Sequence, residues 1–187
     1  LGAAPEALAS IAKLRDPRAC AVLTGQQPNL FGGPLLVAYK AVTAIALARR
    51  LEARWSRPVV PVFWNHSDDA DVDEIRRAFA IDRENRLRTI EAAPVPARTP
   101  IAAVDWRDEL PRVWAEFAGT LPESGSAEQV RRWFEPGGCT GPARWFGGIL
   151  ARVLGPHGLI VFEPRLGHSL WADVIERVVQ RLAEVRG

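Results

Sequence analysis

Two short apolar runs, Ala19 to Leu23 and Pro58 to Trp64 (PVVPVFW), stand on either side of a helix-length segment from Leu35 to about Trp55. Each run has the length and the β-branched or aromatic content of a buried strand. Between them, apolar residues surround most of the helix surface. Lys40, Thr43, Arg50 and Arg54 sit on or near one polar stripe, as in a helix packed on a sheet. Antiparallel neighbours need only a tight turn, whereas strand, helix and strand over this length form a crossover unit whose strands pair in parallel. A third run, Gly158 to Phe162 (GLIVF), adds another buried strand, so the expected class is α/β with a parallel sheet flanked by helices. Two prolines in the second run, Pro58 and Pro61, place its start at an irregular or edge position.

The remaining segments attach to this frame. Pro5 to Leu14 has helical spacing and is stopped by Asp16-Pro17. The segment Gln26 to Pro34 reads as a loop, with Asn29, Gly32 and Gly33 tolerating positive φ and Pro34 suited to a first helical turn. Ala78 to Glu91 alternates around Arg83-Glu84-Asn85 and predicts a hairpin. Helices follow near Trp106 to Ala118, Ala127 to Phe134, Pro142 to Leu154 and Ser169 to Val185. Residues 76–135 thus read as an inserted hairpin and helical segment within one domain spanning 1–187.

A chain of 187 residues with 48% hydrophobic and 25% charged content suits one folded domain. The formal net charge of +2, with both signs mixed along the chain, argues against nucleic acid or a membrane surface as a partner. The apolar stretch Leu35 to Ala48 is interrupted by Lys40 and Thr43, too polar to span a bilayer. Cys20 and Cys139 match no metal or redox spacing, which implies free thiols in a reducing, cytoplasmic compartment. The chain contains no Met and begins at Leu1, so an N-terminal stretch is expected to be missing.

In open parallel sheets, ligands sit outside the carboxyl ends of the strands. All three expected ends are polar: Thr24-Gly25-Gln26-Gln27, Asn65-His66-Ser67-Asp68-Asp69 and Glu163-Pro164-Arg165. The first offers amides, a hydroxyl and backbone N–H groups at a helix start, suited to a carboxylate or phosphate, with Lys40 adding a point charge. An equal alternative is that these residues cap the helix and Lys40 snorkels to solvent. Gly32, Gly33, Asn65 and Ser67 complete the candidate binding set. In the second loop, His66, Asp68, Asp69 and Asp71 could serve as general base, orient an amine or hold a cation such as magnesium. Asp73 and Glu74 read instead as acids favouring a helix start. His157 and His168 read as surface or packing residues, Glu163 and Arg165 as a solvated pair, Cys139 as a spectator thiol, and Trp64 as adjoining the site.

Three segments carry a resemblance. TGQQPNLFGGPLLVAYKAVTAIALARRLE (Thr24 to Glu52), RPVVPVFWNHSDDADVDEI (Arg57 to Ile75) and FEPGGCTGPARWFGGILARVLGPHGLIVFEP (Phe134 to Pro164) resemble the cysteine-adding bacillithiol synthase family in content and order. The resemblance implies the N-terminal part of a Rossmann-like core and an amide-forming ligase that joins cysteine to glucosaminyl malate. ATP with magnesium is the obvious activating candidate. It further implies that Thr24 to Gln27 bind substrate or phosphate, that Lys40 supports that anion, and that His66 to Asp71 handle the amine or the cysteine. Two departures stand out. Ala70 occupies the place of a family histidine, so either His66 substitutes spatially or activity is lost. Family members are more than twice this length, and the rest of the core and a dimerising coiled coil would lie beyond Gly187. Two other readings remain: a metal-assisted hydrolase or nucleotidyl-transferring enzyme using His66 and the aspartates, and a truncated homologue that only binds a ligand or partner.

Overall fold

The strand–helix–strand unit is built as expected in a computed structural model that describes residues 3–185. A short helix α1 (Pro5–Lys13) leads into β1 (Cys20–Gln26), the long crossover α2 (Leu35–Trp55) and β2 (Val59–Asn65). A one-turn helix α3 (Val72–Ile75) precedes the hairpin of β3 (Arg77–Ile81) and β4 (Leu87–Glu91). Then come α4 (Glu109–Thr120), α5 (Gly125–Phe134), α6 (Pro142–Leu154), β5 (Ile160–Phe162) and α7 (His168–Val185). The main sheet is parallel in the order β1-β2-β5, and β3 pairs antiparallel with β4. This is the α/β, Rossmann-like class the sequence predicts.

Three details differ from the sequence reading. First, β1 does not end at Leu23: it pairs in register from Cys20 opposite Val59 to Gln26 opposite Asn65, so Thr24, Gly25 and Gln26 belong to the strand and not to a loop. Second, β2 is the central strand despite its prolines. Pro58 O accepts from Cys20 N and His66 N donates to Gln26 O, so the even-numbered residues of β2 aim their backbone polar groups at β1. Pro61, at an odd position, faces the other side, where β5 begins pairing only at Val62. Its missing N–H therefore removes no ladder bond. The start of β2 is an edge on that side alone. Third, the Trp106 segment becomes helical only at Glu109, and the GLIVF run contributes only Ile160–Phe162 to the sheet.

Two cores share one helix. Val37, Ala41 and Ile45 of α2 pack with Phe63 of β2 and with Phe146, Leu150 and Leu154 of α6, so α2 and α6 cover the same face of the sheet. Burying side chains of this size contributes roughly 1.5–3 kcal/mol each. One step around α6, Trp145 and Ile149 face a second core with Ile75, Ile90, Ile101, Leu110 and Val113, which belong to the hairpin, α4 and the segments around them. Residues 76–135 are thereby fastened to the sheet through α6. Residues at alternate positions of the strands, Leu23, Gly25 and Trp64, face the opposite side of the sheet. Leu23 is 60% exposed there.

Candidate active site

The three parallel strands end on one edge, and a cavity of about 480 Å³ opens there between β1 and β2. Its size lies within the roughly 300–1,000 Å³ of small-molecule sites. Of the residues singled out from the sequence, Thr24, Gly25, Gln26, Gln27, His66 and Asp69 line it, and Leu23 and Trp64 supply an apolar wall. A cavity of similar size, about 470 Å³, lies at the hairpin tip beside Asp82. Asp82 there is already engaged by the N–H groups of Glu84 and Arg86 and by the Arg86 and Arg88 guanidinium groups, which close the turn.

Donor and acceptor chemistry fixes both glutamines. Lys40 Nζ lies 2.9 Å from Gln26 Oε1 and 3.4 Å from Gly25 O. An ammonium can only donate, so the Gln26 carbonyl must face it, leaving the Gln26 NH₂ for a ligand. Gln27 Nε2 donates to Asp69 Oδ2 at 2.7 Å. A carboxylate can only accept, so the Gln27 Oε1 is left free. Lys40 does not line the cavity itself; it acts on Gln26.

Asp69 is the hinge of the second loop. Its Oδ1 accepts from Asp71 N at 3.0 Å. That N–H, followed by the Gln27 amide, holds its carboxyl below the ordinary value despite burial. The backbone is pinned from the insertion: Ile101 N donates to Asp69 O and Ala102 N to Ser67 O. Sequence reasoning missed this support, because no local signal ties Ile101 to a loop so far upstream.

Other predicted residues lie elsewhere. Asp68 turns toward His168, and Asp71 borders a separate cavity with Ala70, Val95 and Arg98. Among the described residues no group of three or more His, Cys, Asp or Glu side chains could hold a metal ion, so His66, Asp68, Asp69 and Asp71 do not converge as a ligand set. Asn65 and Ser67 are buried beneath the loop. Asn65 Nδ2 donates to Ala143 O at 2.9 Å, while Asn65 Oδ1 and Ser67 Oγ are buried without a partner. Gly32 and Gly33 do not border the cavity. They follow Phe31, and all three have positive φ, at 53°, 79° and 76°. A Cβ on Gly32 would meet Ile149, and one on Gly33 would crowd Asn29 and Val37. The β1–α2 connection therefore folds into the protein and forms no glycine cradle for phosphates, and Pro34 caps α2. Thr24, in the strand, does not cap it.

Gly25 has a different reason to be glycine. A Cβ there would stand 2.7 Å from Trp64 O and 2.9 Å from Trp64 Cβ. No side chain fits between the strands at the cavity floor.

A family model for the N-terminal Rossmann-like domain of the bacillithiol biosynthesis protein BshC matches residues 1–185. Among curated proteins, one from Heliobacterium modesticaldum named "Putative cysteine ligase BshC" is 36% identical over 181 residues, covering 89% of this chain and 32% of its own. The protein of the same name from Koribacter versatilis is 35% identical, covering 99% and 35%, and that from Halalkalibacterium halodurans is 34% identical, covering 97% and 34%. This chain spans about a third of the length of these relatives. No helix among the described residues is long and apolar enough to cross a membrane. On the match over nearly its whole length, the chain belongs to the BshC family of bacillithiol biosynthesis, as its N-terminal Rossmann-like domain.

Proposed function

We propose that the cavity between β1 and β2 seats cysteine, as one half of a ligase site that joins its carboxyl to the amine of glucosaminyl malate. The observation that carries this reading is the enforced pairing of the two glutamines. The Gln26 NH₂ offers donors, which suit a carboxylate. The Gln27 carbonyl beside the Asp69 carboxylate offers acceptors, which suit an ammonium. A free α-amino acid carries both groups on one carbon, and the relatives are named as cysteine ligases. The apolar wall of Leu23 and Trp64 suits a short, soft side chain such as a thiol.

Amide formation requires three things of the protein. It must hold the acyl carbon still, deprotonate the attacking amine and keep the two reactants aligned. Gln26, Gln27 and Asp69 serve the first. His66, exposed at the rim, lies within the cavity lining beside the bound reactant. Lys40 acts by fixing Gln26. Condensation also requires an activated carboxyl, for which ATP with magnesium is the expected source. The β1–α2 connection offers no phosphate cradle for it.

The test is to incubate the chain with cysteine, glucosaminyl malate, ATP and magnesium, trap thiols and look for the product mass. Turnover by the native chain, lost in Gln27→Ala and Asp69→Ala variants that remain folded, is expected. Undiminished turnover in both variants, or none in the native chain, overturns the assignment.

A further inference from the structure

The loop after β2 serves both of its neighbours. Asp69 turns toward β1 and takes the Gln27 amide, whereas on the β5 side His168 Nε2 stands 3.5 Å from Asp68 Oδ1. His168 opens α7, and the first turn of that helix is anchored. Trp171, three residues on and so on the same helix face, meets Phe162 with ring centroids 6.4 Å apart, and Phe162 meets Trp64 at 5.1 Å. Gly167 permits this closure, because a Cβ there would come within 2.6 Å of Trp171 Nε1. The packing of Trp171 thus fixes the helix start that carries His168 near the end of β5, and its imidazole stands beside Asp68 on the loop after β2. Both side chains keep solvent access, at 59% for His168 and 41% for Asp68.

A carboxylate can only accept, so Nε2, the nitrogen that faces it within ion-pair range, is the one placed to carry the hydrogen, and Nδ1 is the one left to accept. The other charged or titratable groups on adjoining elements are Glu163 and Arg165 before α7, and His66, Asp69 and Asp71 in the loop. Among the described residues none of these bridges to His168.

We propose that Asp68 and His168 form the second half of the crevice, an oriented imidazole that takes a proton from the amine of the incoming amino sugar. The inference rests on the ligase reading above, and it deepens it by giving each substrate its own side of the β2 loop. The ammonium proton passes to His168 Nδ1, the nitrogen lone pair is freed for attack, and the imidazolium formed is balanced by Asp68. Sequence reading took His168 as a surface or packing residue, and its side chain is indeed exposed; nothing in its neighbourhood along the chain reveals the carboxylate from another strand end.

The experiment is ¹⁵N NMR of the imidazoles of the full chain, with His168 assigned through a His168→Gln spectrum. In the neutral form, His168 is expected as the Nε2–H tautomer, and Asp68→Ala should abolish that preference. Added glucosaminyl malate should shift His168 Nδ1 in the native chain and not in Asp68→Ala. A mixed tautomer unaffected by Asp68→Ala overturns the pair. Shifts at other site residues without one at His168 overturn this inference while leaving the ligase reading intact. No shift anywhere at saturating glucosaminyl malate overturns the ligase reading for this chain, and the inference with it.

Discussion

Replacing Gly25 by Ala tests the floor of the site most sharply, because the clash is with a neighbouring strand and not with a movable side-chain tip. The added methyl would lie 2.7 Å from Trp64 O and 2.9 Å from Trp64 Cβ. Ordinary contact begins near 3.4 Å, so β1 and β2 would have to part by about 0.7 Å along a ladder that holds seven paired positions. Overpacking of this kind costs about 1–3 kcal/mol. For a chain of this size each kcal/mol moves the melting midpoint by about 2–4 °C, so a loss of about 2 kcal/mol lowers it by about 4–8 °C. Gly119→Ala is the matched control. It lies in α4 with no heavy atom within 4 Å of the new Cβ, and alanine is favoured over glycine in a helix by up to about 1 kcal/mol. Thermal melts by circular dichroism should therefore move in opposite directions for the same chemical change. A Gly25→Ala protein as stable as the native one would refute the strand-contact argument, and so would a Gly119→Ala protein that loses as much.

Further outcomes follow from named contacts. Asp82 is held far below the ordinary carboxylate value of 3.8, first by the Arg86 N–H and then by the Arg88 guanidinium and the Glu84 N–H, against the effect of burial. A depressed folded-state value means stabilisation that is present above 3.8 and lost as pH falls through the folded value, so Asp82→Asn should melt lower at neutral pH with the gap closing on acidification. A gap independent of pH would contradict this. Lys40→Met frees Gln26 to rotate and should weaken cysteine binding about tenfold or more in calorimetry, with little change in melting, given the strength of hydrogen bonds from charged donors. Phe31 stacks on Phe117 at 4.2 Å and meets Trp145 edge-on at 5.2 Å, so Phe31→Ala should cost about 3–5 kcal/mol in denaturant unfolding. A double-mutant cycle with Phe117→Ala should return a coupling of about 0.5–1.5 kcal/mol, and a coupling near zero would contradict the stack.

The crossover unit was legible because its signals are local: a buried run, a helix-length apolar face and a second buried run leave only parallel pairing. The same locality explains the hairpin, whose register is set by alternation around its turn. What the sequence hid is set between distant segments. The extension of β1 through Gln26 depends on partners in β2, and polar residues such as Thr24 and Gln26 read as loop until their neighbours are known. The paired glycines looked like a ligand loop, yet their positive φ serves a strap whose Phe31 plugs into the insertion core. At the site, the polar strand ends were visible as a cluster, whereas the split of Asp68 and Asp69 to opposite neighbours was not. Two adjacent acids look equivalent along the chain, and only the folded loop separates them.

In the proposed site, cysteine sits between Gln26 and the Gln27–Asp69 pair through its carboxylate and ammonium together. Side-chain amide NMR of the glutamines during titration with L-cysteine, cysteamine and 3-mercaptopropionate tests it directly. Cysteine is expected to give saturable shifts of both the Gln26 and the Gln27 amide, and the two analogues, each of which lacks one charged group, are expected to bind at least tenfold more weakly. Equal binding of either analogue, or glutamine amides that cysteine leaves unmoved, would contradict it.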